Sequence, residues 1–289
     1  MSTAGAARVR FPRAAATLGR YGGAVGRGLV ELGQMVWFAL TAVGQIPFAL
    51  QHYRRELLKL IAQIGMGTGA MAVVGGTVAI VGFITLSTGS LVAIQGYASL
   101  GNIGVEAFTG FLAAMINVRF VAPVASGQAL AATVGAGATA ELGAMRISEE
   151  IDALEVMGIK SIAYLVSTRM VASFVVIIPL YALGIALAFL SQQVTTVFLY
   201  GQSMGTYDHY FHTFLRLSDV FWSFAEVIMI AVVVMATHCY YGYTASGGPV
   251  GVGEAVGRSM RLSLVTIVVV VVLTAMAVYG KNPNFNLTV

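Results

Sequence analysis

The chain has 289 residues, of which 58% are hydrophobic and only 10% are charged, and its mean hydropathy is +0.85. Soluble domains carry about 25% charged residues, so this composition excludes an ordinary soluble protein and indicates an integral membrane protein. The single cysteine, Cys239, excludes an intramolecular disulfide and is predicted to be a small buried side chain. The net charge of +4 comes mostly from the N-terminal region, which favours a cytoplasmic, lipid-facing N-terminus over nucleic-acid binding.

The N-terminal segment, residues 1–27, is rich in Arg, Ala and Gly and is predicted to be a basic flexible extension without a cleaved signal peptide. From Leu29 to Leu50, apolar residues recur every three or four positions, which is helical periodicity. Polar side chains interrupt this run, and Trp37 is of a type common at membrane interfaces. We therefore predict an amphipathic elbow helix over residues 28–56, lying in the membrane plane.

Five further segments are apolar and long enough to span a membrane, which needs about 20 residues. Their predicted bounds are Leu60–Leu86, Ile103–Ala138, Ile162–Leu190, Val220–Tyr241 and Leu262–Tyr279. The second is long for one straight span and contains Pro123, so a bent helix or partial re-entry is expected there. Ser87–Gly101 is predicted to be a short outer segment, and the linker over 191–219 contains a possible short helix beginning at Tyr207.

The distribution of basic residues predicts the orientation of these spans. The N-terminus and the loops after the second and fourth spans hold most of the Lys and Arg residues, whereas the opposite side holds Arg216 and Lys281. Because cytoplasmic loops are enriched in Lys and Arg, we expect a cytoplasmic N-terminus and an extracytoplasmic tail over 282–289. The predicted fold is an all-α, multi-pass protein of the plasma (inner) membrane.

The most informative segment, Thr139–Lys160, is polar although it lies between two apolar segments, and it holds five of the twelve acidic residues. Four apolar residues are spaced to line one side of a helix, namely Ile147, Ile151, Leu154 and Met157. Gly158 predicts the end of that helix. Such a helix either docks in a groove of a soluble partner or merely connects two spans, and spacing alone leaves both open.

The residues of this segment carry a resemblance to a known family. The runs Thr139-Ala-Glu-Leu-Gly, Glu149-Glu-Ile-Asp-Ala-Leu and Met157-Gly-Ile resemble the signature of MlaE/YrbE permeases, the membrane subunits of ABC transporters that act with MCE proteins on lipids. Arg119-Phe-Val-Ala-Pro also resembles that family's Arg-Glu-Leu-Gly-Pro. The resemblance implies a permease domain over residues 57–281, with a cytoplasmic coupling helix at about 141–158 between the second and third spans.

The resemblance also implies partners and a mechanism. Two YrbE-like permeases would form a dimer, and each coupling helix would insert into a separate P-loop ATPase that uses ATP and Mg. The implied coupling residues, with the neighbouring Glu155, are Glu141, Met145, Arg146, Glu149, Glu150, Asp152, Leu154, Glu155 and Met157. ATP-driven motion would open a lipid pocket beneath MCE proteins for a fatty acid, mycolic-type lipid, sterol or phospholipid, with import expected. No P-loop motif occurs in the sequence, so we expect no cofactor in this chain and ATP hydrolysis in the partner.

Three residues depart from the family pattern: Phe120 replaces a Glu, Ala122 replaces a Gly, and Thr133 stands where many members have an Arg. The loss of one acid and one base suggests an absent intramembrane ion pair, because an unpaired buried charge is costly. These changes suggest a paralogue that forms a heterodimer with a more typical subunit. Actinobacterial MCE systems have such pairs, and the basic N-terminus resembles their B-type YrbE subunit.

Candidates for a lipid path are chosen by position in the outer half of the first two segments, and are Phe83, Leu86, Leu91, Tyr97 and Glu106. Glu106 either lines or gates a pocket or makes a structural hydrogen bond. Arg119 is one conceivable partner, although thirteen residues of straight helix would separate the two by about 20 Å.

Two other functions stay open at this point. The chain could be mainly the structural half of a permease heterodimer, or a membrane enzyme acting on lipid, for which Asp208, His209 and His212 form the candidate polar cluster. The two histidines lack an evident third ligand, so no metal site is predicted. Glu226 and His238 are expected to be structural residues within spans.

Overall fold

The computed structural model describes residues 28, 30–66 and 76–280, and the predicted extension over 1–27 and tail over 282–289 lie outside this part of the chain. Within it the secondary structure is helical without strands, which confirms the all-α prediction. The helices, in chain order, are α1 Val30–Gly44, α2 Ile46–His52, α3 Arg54–Met66, α4 Thr77–Gly101, α5 Glu106–Ile147, α6 Glu150–Val156, α7 Ile162–Leu199, α8 Met204–Phe214, α9 Leu217–Tyr243 and α10 Gly248–Tyr279.

Five of the described helices, α4, α5, α7, α9 and α10, are long and apolar enough to cross a membrane, as the sequence predicted. The pair α1 and α2, bent by 41°, would count as a sixth crossing by length and composition. The location of the elbow helix in the membrane plane therefore stays a prediction.

The first span differs from its predicted bounds. Leu60 belongs to α3, whereas α4 begins at Thr77 and continues to Gly101, so Ser87–Gly101 is the C-terminal part of the span and not a separate segment after it. Tertiary packing explains the error, because a Cβ atom added at Gly89 would lie 2.5 Å from the carbonyl oxygen of Ala188 on α7. This close approach buries the small residues Gly89, Ala93 and Gly96, which made the segment resemble a loop.

The second span is one helix of 42 residues that ends at Ile147 rather than near Ala138. It passes Pro123 without re-entry. Wider π-helical turns occupy 113–121 and 131–135, and Pro123 lies at the start of the α-helical segment between them. There the missing N–H of proline is more easily tolerated than in the middle of an α-helix.

The remaining spans begin or end near their predicted bounds. α7 begins at Ile162 as predicted but continues to Leu199, and α9 extends the predicted fourth span by a few residues at each end. α10 begins at Gly248, well before the predicted Leu262, directly after a turn in which Gly247 and Gly248 have φ angles of 91° and 73°. The predicted short helix of the linker is α8.

The core lies where α5, α7 and α9 meet, with α4 packed along α7 and α10 packed against α9 and α5. The elbow helix α1 turns its polar side chains toward α9, where Glu31 accepts a hydrogen bond of 3.0 Å from the Tyr241 hydroxyl. Several apolar side chains point outward, with Trp37 74% and Leu40 63% exposed, whereas Ala42 is fully buried and Phe38 packs against the core. This arrangement suits a helix whose free face lies against lipid.

Candidate coupling site and membrane core

The acidic segment is divided between two helices, so the prediction of one coupling helix over about 141–158 is wrong. Glu141–Ile147 forms the last turns of α5, and α6 contains only Glu150–Val156. Between them Glu149 has φ 61° and ψ 14°, and it is the non-glycine residue with a positive φ in the described chain. The left-handed conformation costs a residue with a Cβ atom roughly 1–2 kcal/mol. The chain thus turns sharply at Glu149.

Polar contacts hold this turn against the end of α5. The Arg146 guanidinium lies 2.6 Å from the Asp152 carboxylate across the break. The Ser148 hydroxyl donates a hydrogen bond of 2.9 Å to Glu150. Because both charges of the Arg146–Asp152 pair are partly exposed, the pair contributes about 0–1 kcal/mol.

Two other predicted coupling residues contact the membrane helices. The Glu141 carboxylate lies 3.0 Å from the Arg169 guanidinium of α7, and the Arg169 side chain is only 11% exposed. The Glu155 carboxylate accepts hydrogen bonds from Ser161 at 2.6 Å and from Tyr243 of α9 at 3.0 Å. These contacts connect α6 and the end of α5 to α7 and α9.

The apolar residues of the segment do not share one side as predicted. Ile151 is fully buried and Leu154 packs against the core, whereas Met157 is 66% exposed. Val156, which the sequence analysis did not select, is 89% exposed. The outward surface of α6, here named the coupling tip, consists of Glu149, Glu150, Ala153, Val156 and Met157.

The five candidates for a lipid path occupy two places. Phe83 and Leu91 are 73% and 61% exposed on α4, whereas Leu86 is 38% exposed and its backbone carbonyl accepts a hydrogen bond from Ser191 of α7. Tyr97 stacks on Tyr200 with ring centroids 4.2 Å apart, near the end of the bundle where α4 ends. Glu106 begins α5, and its backbone carbonyl accepts a hydrogen bond of 2.6 Å from Thr109.

Comparison with known proteins decides the family. A family model described as Permease MlaE matches residues 66–277, which is more than half of the chain. The chain belongs to the MlaE permease family.

Relatives of this MlaE-family permease cover most of its length. A Rickettsia typhi protein named "Probable ABC transporter permease protein" is 24% identical over 85% of this chain and 92% of its own length. The Haemophilus influenzae intermembrane phospholipid transport system permease protein MlaE is 26% identical over 66% of this chain and 74% of its own length. The Arabidopsis thaliana protein TRIGALACTOSYLDIACYLGLYCEROL 1, chloroplastic, is 28% identical over 62% of this chain and 51% of its own length.

Family membership makes this chain the non-enzymatic membrane subunit of an ABC transporter, with the ATPase on a separate subunit. The alternative of a lipid-modifying enzyme is therefore wrong. The cluster on which it depended lies on α8, where Asp208 accepts a hydrogen bond of 3.0 Å from Gln193. Burial raises the pKa of the neighbouring Tyr207, so this hydroxyl stays protonated.

A buried ion pair that sequence reasoning missed lies inside the permease. Arg119 of α5 contacts one carboxylate oxygen of Asp219 on α9 through Nη2 at 2.7 Å and Nε at 3.1 Å. Their side chains are 5% and 2% exposed. The guanidinium also lies 4.0 Å from the centroid of the Tyr279 ring. Asp219 rather than Glu106 is thus an acidic partner of Arg119, and no local sequence signal joins positions one hundred residues apart.

The other residues that the sequence analysis selected lie in packed or membrane-facing positions of the helices. Phe120 is 40% exposed, and the Thr133 hydroxyl donates to the Ala129 carbonyl oxygen of its own helix. Glu226 is 3% exposed, and its Oε1 has no hydrogen-bond partner in the described part of the chain. His238 is fully buried beside Thr139, as expected for a packed histidine. Among the described residues, no group of three or more His, Cys, Asp or Glu is arranged to hold a metal ion.

An apolar groove of about 480 Å³ also escaped the sequence analysis. It lies between α3, the start of α4 and the middle of α7. Its lining residues are Leu58, Ile61, Ala62, Val78, Val175, Val176, Pro179, Leu180 and Leu183. Apolar grooves of this size accommodate alkyl chains by burial alone, without specific polar contacts.

Proposed function

We propose that this permease moves lipid across a bacterial plasma membrane, and that its coupling tip docks on the separate ATPase. The observation that carries the proposal is the exposed apolar pair Val156 and Met157, which follows Glu155 at the end of the short acidic helix after α5. Burying one such side chain in a partner contributes roughly 1.5–3 kcal/mol. The acids around the pair would select a basic groove and orient the encounter.

The contacts behind the tip support a role in transmission. The break at Glu149 turns α6 outward, and the Arg146–Asp152 pair bridges that break. The Glu141–Arg169 pair and the hydrogen bonds of Glu155 join the segment to α7 and α9. A displacement of the tip by the ATPase would therefore act on several spans.

A lipid substrate is supported by the named phospholipid transport of one relative and by the apolar surfaces of this chain. The outward face of α4 with Phe83 and Leu91, and the groove between α3 and α7, are the proposed contacts for acyl chains.

We also propose that the transporter contains a second YrbE-like permease and MCE proteins, and that it imports its lipid. Fatty acids, mycolic-type lipids, sterols and phospholipids all suit these surfaces. The N-terminus and coupling tip would be cytoplasmic, and the C-terminus extracytoplasmic.

Charge reversal at the tip tests this proposal. The double substitution Glu149→Lys and Glu150→Lys should release the ATPase during co-purification and abolish ATP-dependent lipid transfer, while the permease remains folded in detergent. The matched control is Glu254→Lys, at an exposed acid on α10 outside the tip. Retention of the ATPase with full lipid transfer in the double variant would overturn the proposal.

A mainly structural role in a heterodimer is the second candidate, favoured by the uncharged residues Phe120 and Thr133. Replacing Ala62, which lines the groove between α3 and α7, by Trp in this subunit alone separates the two roles. Loss of lipid transfer with intact assembly supports an active lipid path through this chain. Unchanged transfer supports the structural role.

A further inference from the structure

Three helices meet at a buried polar cluster behind the coupling tip. This cluster, here named the polar junction, consists of Thr139 on α5, His238 on α9 and Ser259 on α10, and each residue is 0% exposed. The Thr139 hydroxyl oxygen lies 2.8 Å from His238 Nδ1 and 3.3 Å from the Ser259 hydroxyl oxygen. One side chain of α5 thus contacts polar groups of both α9 and α10.

The Thr139 hydroxyl can donate one hydrogen bond and accept another at the same time. Its hydroxyl has one proton, and the carbonyl oxygens of His238 at 3.0 Å and Gly135 at 3.1 Å can only accept it. When the proton points to either carbonyl, the Thr139 oxygen must accept a hydrogen bond from Nδ1–H of His238. The Nε2 atom, which has no partner in the described part of the chain, then carries a lone pair rather than an unmatched proton. Valine has the same shape as threonine but can neither donate nor accept.

Glycine contacts leave the helices no space to slide past one another at this junction. A Cβ atom added at Gly135 would lie 2.6 Å from His238 Cδ2. One added at Gly242 would lie 2.9 Å from the carbonyl oxygen of Thr139. Further toward the tip, one added at Gly143 would lie 2.9 Å from Val252 of α10. Such contacts between packed surfaces transmit displacement rather than absorb it.

The position of the junction on α5 makes it a connection for the tip. α5 is α-helical over Ala136–Ile147, from the end of the π-helical turn at Gly135 to the break at Glu149. Ten residues, or about 15 Å of helix, separate Thr139 from that break. A push on the coupling tip first crosses the break at Glu149, which the Arg146–Asp152 pair bridges, and then reaches the polar junction through one continuous helical segment.

We infer that the polar junction is a positioning element that makes the end of α5 move as one body with α9 and α10. The inference rests on the proposed docking of the tip. Its consequence is that the junction determines how much lipid moves for each ATP hydrolysed. Breaking it should leave the ATPase docked and hydrolysing ATP, because the tip itself is unchanged.

The experiment uses the permease with its ATPase and partner subunits in liposomes, with a fluorescent phospholipid as the transported probe. Thr139→Val is expected to lower the lipid moved per ATP roughly 2- to 30-fold, the range for residues that couple two sites. Thr139→Ser, which keeps the hydroxyl, should restore the ratio. The control is Thr133→Val on the same helix, because in the described part of the chain the Thr133 hydroxyl bonds only to the Ala129 carbonyl oxygen, at 2.7 Å.

A second pair of variants tests the inference if the Thr139→Val permease does not assemble with its ATPase and partner subunits. Ser259 and Ser263 are both 0% exposed and lie one turn apart on α10. Of these two described serines, Ser259 contacts Thr139, and its hydroxyl also lies 3.0 Å from the Val256 carbonyl oxygen of its own helix. Ser259→Ala should lower the ratio of lipid to ATP, and Ser263→Ala should leave it unchanged.

Each result has a distinct meaning. If the variants of the junction match their controls in lipid moved per ATP, the junction does not couple the helices, although docking of the tip still holds. An equal fall in ATP hydrolysis and lipid transfer, with an unchanged ratio, also overturns the inference. If the unsubstituted complex neither retains the ATPase nor moves lipid, the proposed function itself fails.

Discussion

Removing the carboxylate of Asp219 should be among the most destabilising changes to a single charged residue in this permease. The pair with Arg119 is nearly inaccessible, with side chains 5% and 2% exposed, and two guanidinium nitrogens lie 2.7 and 3.1 Å from one carboxylate oxygen. Asp219→Ala leaves a guanidinium buried against the Tyr279 ring without its carboxylate. Breaking such a buried pair from one side costs about 3–5 kcal/mol of unfolding free energy.

The double substitution Arg119→Met and Asp219→Ala separates the stranded charge from lost packing. With both charges removed, much of the loss should be recovered, because an apolar replacement of a buried pair is often neutral or stabilising by about 1–4 kcal/mol. A double-mutant cycle would measure the coupling between the two positions through reversible unfolding in mixed detergent micelles.

The control is Asp208→Ala on α8, which removes the acceptor of one partly buried hydrogen bond from Gln193 and should cost only about 1 kcal/mol. The reasoning is refuted if Asp219→Ala costs no more than this control. It is also refuted if the double variant is less stable than Asp219→Ala, because the stranded charge would then not be the source of the loss.

Three further predictions concern the coupling region. Gly135→Ala should destabilise the permease by about 1–3 kcal/mol because its Cβ meets the histidine ring of the polar junction, whereas Gly137→Ala, with nothing within 4 Å, should stabilise it by up to about 1 kcal/mol. Glu149→Gly should raise the unfolding free energy by roughly 1 kcal/mol by relieving the left-handed backbone, as measured by detergent unfolding. Val156→Ala should weaken ATPase binding roughly tenfold in a titration, and Val250→Ala, at a valine 76% exposed on α10, should not.

These predictions fail in recognisable ways. Equal effects of the two glycine substitutions would mean that the junction is loosely packed. An unchanged or lower stability of the Glu149 variant would mean that the turn is not strained. Equal ATPase affinity of the two valine variants would remove Val156 from the docking surface.

Much of the fold follows from local properties of the sequence. An apolar run that is long enough to cross the membrane core predicts a span without any knowledge of the helices around it. The reason is that every backbone polar group in lipid must bond within its own helix. The ends of the last two spans, predicted at Tyr241 and Tyr279, were therefore placed well, although the last helix begins at Gly248 and not at Leu262. The bounds of spans that contain polar or small residues were predicted less well. Ser87–Gly101 is helical because Gly89 and Ser90 pack against α7, where Ser90 and Ser191 share a hydrogen bond of 2.6 Å.

The sequence by itself determined an all-α membrane protein with about five spans and one acidic segment resembling the MlaE/YrbE signature. Tertiary structure alone decided which groups of that framework meet. The partner of Arg119 lies one hundred residues away, and Thr139 meets His238 and Ser259 from two other helices. The physical reason is that hydropathy and helical periodicity act along the chain, whereas ion pairs and close helix contacts depend on how separate helices rotate and pack.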